Sequence, residues 1–309
     1  MPYKPHVFAD NPMDRGDQQR RDENWLKESA NDPDSRILVM PELDVPMTDA
    51  PSPSLSWMSP RDVRWFGIEG NPVFLGLMDD VAHFALYVPA TSGAAALLRE
   101  DASIRFADAR SAAGFLSGHE TGIVAQARAQ LDWHNRHGFC SMCGERTEMG
   151  RGGHVRKCPS PGCLAEHFPR TDPVAIMLVH DGDKCLLGQS RGRLSRMRMY
   201  SALAGFMDQG ESIEEAVARE VREEAGIEVK NVKYHSSQPW PFPSSLMIGC
   251  HAEAATTNIR IDAEEMTDVQ WFDREEVLLA LEGRSRRLAV PQPLAIAHHL
   301  IKTWAYGEN

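Results

Sequence analysis

No apolar run in the 309-residue sequence approaches the ~18 residues that a bilayer-spanning helix needs, which excludes a transmembrane reading. The opening stretch, MPYKPHVFADNPMDRGDQQRRDENW, has no apolar core of the secretion-signal kind. Basic residues are in deficit: Lys plus Arg number 33 against 44 for Asp plus Glu, giving a formal charge of −11 and a pI near 5.6. Broad, sequence-independent binding to duplex nucleic acid draws on many phosphate-neutralising cations, so this balance argues against it. Cysteines number only six, too few for a disulfide scaffold at this length, and four of them are clustered. The expected compartment is the cytoplasm. Internal repeats and low-complexity tracts are absent as well.

At roughly 150 residues per domain, the length predicts about two folded units, each able to bury a sizeable core. Residues 1–35 are polar and charged and read as a loosely held leader with a short helix around Trp25 and Leu26. Residues 36–135 alternate short apolar runs with turn signals, as in Trp65-Phe66-Gly67-Ile68, Val73-Phe74-Leu75-Gly76-Leu77 and His83-Phe84-Ala85-Leu86-Tyr87-Val88. Such runs predict strands, and the Ala-rich stretch from Ala107 to His137 predicts helix, so this region reads as a mixed α/β domain. A cysteine module covers residues 136–168. From 169 to 309, strand-like and helix-like segments alternate, which predicts an α/β domain.

Cys140 and Cys143 are followed by Cys158 after fourteen residues and by Cys163 after four more. Two close pairs joined by a hairpin-sized gap suit a tetrahedral zinc ion, with two thiolates from each knuckle. Four protein ligands leave no open position, so this zinc is structural. Gly144 and Gly162 stand where the knuckle turns want an unhindered backbone. Cys185 and Cys250 lie in apolar strand-like stretches and read as inert core thiols.

The most informative stretch runs from Leu203-Ala204-Gly205-Phe206 to Ala225-Gly226-Ile227. Ser212 with Glu215 three residues later forms a capping box, which predicts a helix starting there, and Gly226 is placed to end it. Ile213, Val217, Val221 and Ala225 define the buried stripe. At ~100° per residue, Glu220 and Glu224 fall within about 40° of each other at the edge of that stripe. Glu223 lies on the flank, with Arg219 four residues before it and in pairing reach. Carboxylates crowded beside a core repel one another and resist desolvation, and a divalent cation relieves both effects. Hard oxygen ligands suit Mg2+ or Mn2+.

Gly205, Glu211, Arg219, Glu220, Val221, Glu223, Glu224, Gly226 and Ile227 together resemble the Nudix box at all nine of its fixed positions over twenty-three residues. The resemblance implies a Nudix α/β/α sandwich, here preceded by a four-cysteine zinc ribbon and the mixed α/β N-terminal domain. It also implies cleavage of diphosphates attached to a nucleoside. Ten residues after the box, Ser237-Gln238-Pro239-Trp240-Pro241-Phe242-Pro243-Ser244-Ser245 alternates prolines with aromatics. Such a segment is stiff and extended, and flat apolar rings displayed on it suit a nucleobase or a nicotinamide ring.

This array is similar to the signature of the NADH pyrophosphatase (NudC) subfamily. So is Phe168-Pro169-Arg170-Thr171-Asp172-Pro173, although Phe168 stands where a tyrosine is usual. The resemblance implies catalytic roles for Glu220, Glu223, Glu224 and Glu265, with Mg2+ or Mn2+ on Glu220, Glu224, Glu265 and the backbone carbonyl of Ala204. Glu223 is an additional ligand or a water orienter. Implied substrate contacts are Phe168, Phe206, Gln238, Pro239, Trp240, Pro241, Phe242, Pro243, Ser244, Ser245 and Ala297. The implied reaction is hydrolysis of NADH or NAD+ to AMP and NMNH or NMN, by a homodimer with no membrane partner. Two other readings stay open: removal of NAD caps from RNA 5′ ends, and a non-hydrolytic nucleotide-sensing or RNA-binding module. Four nearby arginines, Arg191, Arg193, Arg196 and Arg198, read as a solvated loop.

Overall fold

The branched and aromatic runs of the N-terminal third settle as strands because alternate side chains along them find buried surfaces on opposite faces. The structure, a computed structural model, describes residues 5–307, apart from the side chains of Arg193 and Met197. It divides into two compact units, Met1–Thr171 with Trp240–Ser244, and Asp172–Pro239 with Ser245–Asn309. The first unit has strands β1 (Arg36–Pro41), β2 (Val45–Thr48), β3 (Val73–Met78), β4 (Val81–Val88) and β5 (Ile104–Ala107). Its helices are α1 (Glu23–Ser29), α2 (Pro60–Trp65), α3 (Gly93–Glu100), α4 (Ala109–Ala112) and α5 (Gly118–Arg136). One sheet has the order β1-β4-β3, with β1 parallel to β4, and β2 pairs with β5 beside it. Leu38 and Met40 of β1 pack with Ile123, Val124 and Leu131 of α5, while Ile37 and Val39 face Leu26, Val63 and Leu98 of α1, α2 and α3. This is the mixed α/β domain that the sequence predicts.

Two expectations are corrected here. Trp65-Phe66-Gly67-Ile68 reads as a strand but closes α2, because Ser59 and Asp62 form a capping box around Pro60 and start a helix. Residues 1–35 read as a loose leader, yet Phe8, Met13 and Leu26 are buried. The Phe8 amide donates to Thr121 Oγ1 at 3.1 Å, and Asn11 Nδ2 donates to Gln126 Oε1 at 2.9 Å. Three apolar anchors spaced along a polar segment are enough to fasten it, although its average composition hides them.

The cysteine module contributes a small sheet of β6 (Glu148–Gly150), β7 (Val155–Lys157) and β8 (Glu166–His167). The second unit is built on β9 (Asp172–Asp181), β10 (Lys184–Ser190), β11 (Leu203–Phe206), β12 (Val229–Trp240), β13 (Ser245–Ala254) and β14 (Met266–Asp273). Their order is β12-β13-β9-β10-β14, with β11 also paired to β9 and β13 parallel to β9. Helices α6 (Arg193–Met197), α7 (Ile213–Ala225), α8 (Arg274–Leu281) and α9 (Ile296–Tyr306) complete it. Ala175, Met177 and Val179 of β9 pack beneath Val217 and Val221 of α7, whereas Ile176 and Leu178 pack beneath Val277 of α8 and Leu300 of α9. The result is the α/β/α sandwich expected from the box. Among the described residues, no helix is long and apolar enough to cross a membrane.

Candidate metal centres

Helix α7 starts where Ser212 and Glu215 cap each other: Ser212 Oγ accepts the Glu215 amide at 3.3 Å, and Glu215 Oε2 accepts the Ser212 amide at 2.7 Å. Val217, Val221 and Ala225 are fully buried, and Ile213 is partly covered. Turned slightly from that stripe, Glu220 and Glu224 are only 7% and 6% exposed, while Glu223 stands in solvent on the flank. The opposing wall is β11. A Cβ on Gly205 would lie 2.0 Å from Glu220 Cδ, so only the lack of a side chain there lets this carboxylate occupy its place.

Arg219 ties the acidic groups together. Its guanidinium grips Glu211 through Nε–Oε1 at 2.5 Å and Nη2–Oε2 at 2.8 Å, and Nη1 donates to Glu220 Oε1 at 2.8 Å and Glu223 Oε2 at 2.9 Å. Nη2 also donates to the Phe206 carbonyl at 2.9 Å. The hydrogen bond from Arg219 holds the Glu211 carboxyl down to about 2. Glu211 therefore anchors the arginine, a role that helical spacing alone does not reveal because Glu211 precedes the helix.

Glu224 is in the opposite condition. Burial first, then the charges of Glu220 and Glu265, push its carboxyl up to about 8, against the Ala204 amide that hydrogen-bonds to it. Its Oε2 is buried with no hydrogen-bond partner. Glu220 is raised too, by burial first, although Arg219 opposes this. A partnerless buried carboxylate oxygen beside the raised Glu220 carboxyl fits a hard divalent cation. Glu265 is exposed just before β14, and its charge acts on both helical glutamates. These carboxylates are gathered without converging to a ligand cage: among the described residues, the one set of three or more ligating side chains within 4.8 Å is Cys140, Cys143, Cys158 and Cys163.

In that cysteine set, the Cys140 and Cys163 sulfurs are 3.7 Å apart, and those of Cys143 and Cys158 are 3.5 Å apart. A tetrahedron with Zn–S bonds of ~2.3 Å has edges near 3.8 Å, so the residues fit zinc. Burial raises the Cys140 thiol, but the Met142 and Cys143 amides and the His167 ring outweigh it and bring the thiol to about 6. Cys158 is instead pushed up to about 12, by burial first and by the neighbouring thiols. Four thiols at this spacing ionise together only around a cation. His167 Nε2 lies 3.3 Å from Cys140 Sγ, a supporting contact the sequence pattern does not announce. The glycine expectation is half corrected: Gly144 has φ +80°, but the matching position of the second knuckle is Leu164 at φ +54°, and Gly162 is not left-handed. Cys185 and Cys250 are both buried, and burial pushes the Cys250 thiol up to about 11.

Of the residues expected to face substrate, Phe206 in the second unit and Phe168 in the first are exposed, at 61% and 59%. Gln238 is placed differently. It is fully buried, its Nε2 donates to the Leu294 carbonyl at 2.8 Å, and its Oε1 accepts the Ile296 amide at 2.8 Å. Its amide thus clamps the start of α9, and Ala297 on that helix is buried in the core. Pro239 is half-buried, and Ser245 opens β13 opposite Asp172.

Within the first unit, the stiff array holds Phe242 beneath two guanidinium groups, with Arg110 3.7 Å and Arg128 4.8 Å from the ring centroid. Phe8 packs edge-on against both Phe242, at 5.6 Å, and Trp240, at 6.0 Å. Arg128 donates to the Pro241 carbonyl. Pro241 is buried, Pro243 exposed and Ser244 half-buried. The extended form predicted for the segment is corrected: residues 241–244 make a turn between β12 and β13, and the Phe242 ring is half-buried rather than displayed. In the arginine-rich stretch, Arg191 Nε donates to the Ala263 carbonyl at 2.8 Å and Arg196 Nε to the Gly192 carbonyl at 3.1 Å; the Arg193 side chain lies outside the described residues.

Residues 169–291 match the family described as NUDIX domain, and residues 35–133 match the NADH pyrophosphatase-like rudimentary NUDIX domain. Among curated proteins, the NAD-capped RNA hydrolase NUDT12 of Homo sapiens is 48% identical over 198 residues, 61% of this chain and 42% of that protein. The mitochondrial NAD(P)H pyrophosphatase NUDT13 of Mus musculus is 43% identical over 64% of this chain and 59% of its own length. The NAD-capped RNA hydrolase NudC of Mycobacterium bovis is 39% identical over 65% of this chain and 66% of its own length. The chain thus spans about half the length of the curated relatives it matches.

Proposed function

We propose, for a chain that belongs to the Nudix family, that it hydrolyses the diphosphate of NADH and NAD+ to AMP and NMNH or NMN, with Mg2+ or Mn2+ as cofactor and structural zinc. The observation that carries this reading is the buried, partnerless Oε2 of Glu224 beside Glu220, on a helix whose Arg219 already pairs with Glu220 and Glu223. Glu220, Glu224, Glu265 and the carbonyl of Ala204 would hold the divalent cation. When bound, that ion supplies the positive charge that a diphosphate needs and acidifies water beside it.

The protein's own residues do the rest. Arg219 fixes Glu220 and Glu223 so that neither swings away when substrate charge approaches. Glu223 or Glu224 accepts the proton released as water adds to phosphorus and one P–O bond of the diphosphate breaks. Gly205 leaves room for the Glu220 carboxylate. Exposed Phe206, in the same unit as the box glutamates, offers a flat apolar face for a base or nicotinamide ring. We further propose a homodimer located in the cytoplasm. A second reading, removal of NAD caps from RNA, is favoured by two relatives that carry that name, and it uses the same diphosphate. A purely nucleotide-sensing or RNA-binding module is disfavoured because every box glutamate is present.

The test is product analysis with NADH, NAD+, NADPH, ADP-ribose and NAD-capped RNA side by side, with Mg2+, with Mn2+ and with chelator. The expected outcome is cation-dependent release of AMP from the nicotinamide dinucleotides. Binding without cleavage of any substrate would refute hydrolysis, and preference for ADP-ribose would refute the nicotinamide assignment.

A further inference from the structure

Two neighbouring cavities in the first unit, of about 440 and 580 Å3, share Gly70, Asn71, Leu86 and Met149 as a common wall. Neither uses a residue of the diphosphate reading. The smaller has an apolar floor that includes buried Ile37, Val63 and Phe84, with Lys27 and Arg64 among its lining residues. The larger is lined by Arg156 and His134.

Arg156 is held by neutral acceptors alone. Its Nε donates to Thr147 Oγ1 at 2.6 Å, Nη2 to the Thr147 carbonyl at 2.8 Å, and Nη1 to His134 Nδ1 at 2.9 Å. A guanidinium only donates, so His134 Nδ1 must be the acceptor. The imidazole proton then sits on Nε2, where the Gly153 carbonyl lies 2.9 Å away. Three of the five guanidinium N–H groups are used, and no carboxylate forms an ion pair with Arg156 among the described residues. Two acids line the cavities, Glu148 and Glu23, and Glu23 Oε1 already accepts the Arg151 amide at 2.9 Å. Against them stand three cations. In the larger cavity Arg156 shares the lining with buried Val73, Leu86 and Leu131. A fixed, half-buried cation beside apolar surface, in a cavity of ligand size, is the arrangement that captures an anionic head with an apolar body.

We propose that the larger cavity binds a small organic anion, with its phosphate, carboxylate or sulfonate group on Arg156 and its apolar body against Val73, Leu86 and Leu131. The competing explanation is that Arg156 merely staples α5 to the β6–β7 hairpin. That role affects stability and predicts no binding.

The experiment titrates the full chain with 8-anilinonaphthalene-1-sulfonate, followed by fluorescence, with excess AMP and Mg2+ present to occupy any nucleotide site. The uncharged analogue N-phenyl-1-naphthylamine serves as the comparison. One saturable site is expected, with affinity at least tenfold higher for the sulfonate. Arg156→Gln should weaken sulfonate binding at least tenfold. Asn71→Trp, a change at an exposed position of the shared wall that leaves the core untouched, should do the same while the melting temperature stays within a few degrees. Should Arg156→Gln fail to fold, Asn71→Trp still decides the matter. Absence of saturable binding, equal affinity for the uncharged amine, or full sulfonate binding by folded Asn71→Trp would overturn the proposal. None of these readouts depends on hydrolysis, so the two proposals fail separately.

Discussion

At Gly205 the absence of one methyl group decides where a negative charge can stand. The Cβ of an alanine would meet Glu220 Cδ at 2.0 Å, so Gly205→Ala must expel the carboxylate from its place between α7 and β11. The displaced group still has Arg219 for a partner, so the fold should survive. A misplacement of about 1 Å in a reacting constellation is worth on the order of 100-fold in rate, and that is the expected loss in kcat for NADH. A melting curve and steady-state kinetics at saturating Mn2+ check both halves. Unchanged turnover would mean that Glu220 does not act from this position. Glu224 poses the complementary case, in which an acid is buried without a donor for one oxygen. Glu224→Gln removes the ionisable group while keeping its shape. Cation-dependent hydrolysis should vanish, and the protein without added divalent cation should become more stable at alkaline pH.

At the scale of elements, α7 was legible from end to end, because a capping box, a four-residue apolar stripe and a terminal glycine are all local signals. Its carboxylates follow from 100° per residue, so spacing alone placed Glu220 and Glu224 at the core edge and Glu223 outside. Local signals gave nothing on Gln238, whose partners lie 56 and 58 residues away in the chain. The subfamily resemblance implies a ligand contact there, but long-range packing makes Gln238 a backbone clamp. Gln238→Leu would strand a buried amide and a buried carbonyl at the start of α9, and a loss of about 2–4 kcal/mol in urea unfolding is expected. Full stability with only a raised KM for NADH would restore the substrate-contact reading. The second zinc knuckle was also misread, because an extra-long loop shifts the left-handed position from Gly162 to Leu164. Leu164→Gly should relieve about 1 kcal/mol of backbone strain, less the added chain entropy of glycine. Gly144→Ala should lose a similar amount at its φ of +80°, with zinc content unchanged in both. Equal melting temperatures for both variants and the parent would remove backbone conformation as the explanation.

For the whole molecule, composition gave the correct class and hid the fastened leader, since three buried side chains scarcely register in an average over thirty-five residues. Composition also says nothing about how stability responds to pH, because that response depends on which titratable groups folding buries. In the second unit two such groups pull in opposite directions. Glu224 is raised from 4.5 to about 8, so without bound cation the unfolded chain releases this proton more readily than the folded one, and stability falls as pH climbs from 4.5 to 8. His251 is lowered from 6.5 to about 4, by burial first and then by His235, with its Nε2 on the Leu300 carbonyl at 3.0 Å. The unfolded chain binds a proton there that the folded chain refuses, so stability is complete above 6.5 and declines as pH falls toward 4. His134 in the first unit is likewise lowered to about 4 and adds a second acid-side loss. At 1.36 kcal/mol per pH unit, the histidine shifts are each worth about 3 kcal/mol and the Glu224 shift about 5, so both limbs lie within reach of urea titration. The alkaline limb should flatten when saturating Mg2+ is added, because a cation-bound carboxylate is already ionised, and it should shrink in Glu224→Gln to what the raised Glu220 contributes. The acid limb should persist with Mg2+ and shrink in His251→Asn, which keeps a donor for the Leu300 carbonyl. An alkaline limb indifferent to both Mg2+ and Glu224→Gln would place the alkaline titration on some other group and detach Glu224 from the cation.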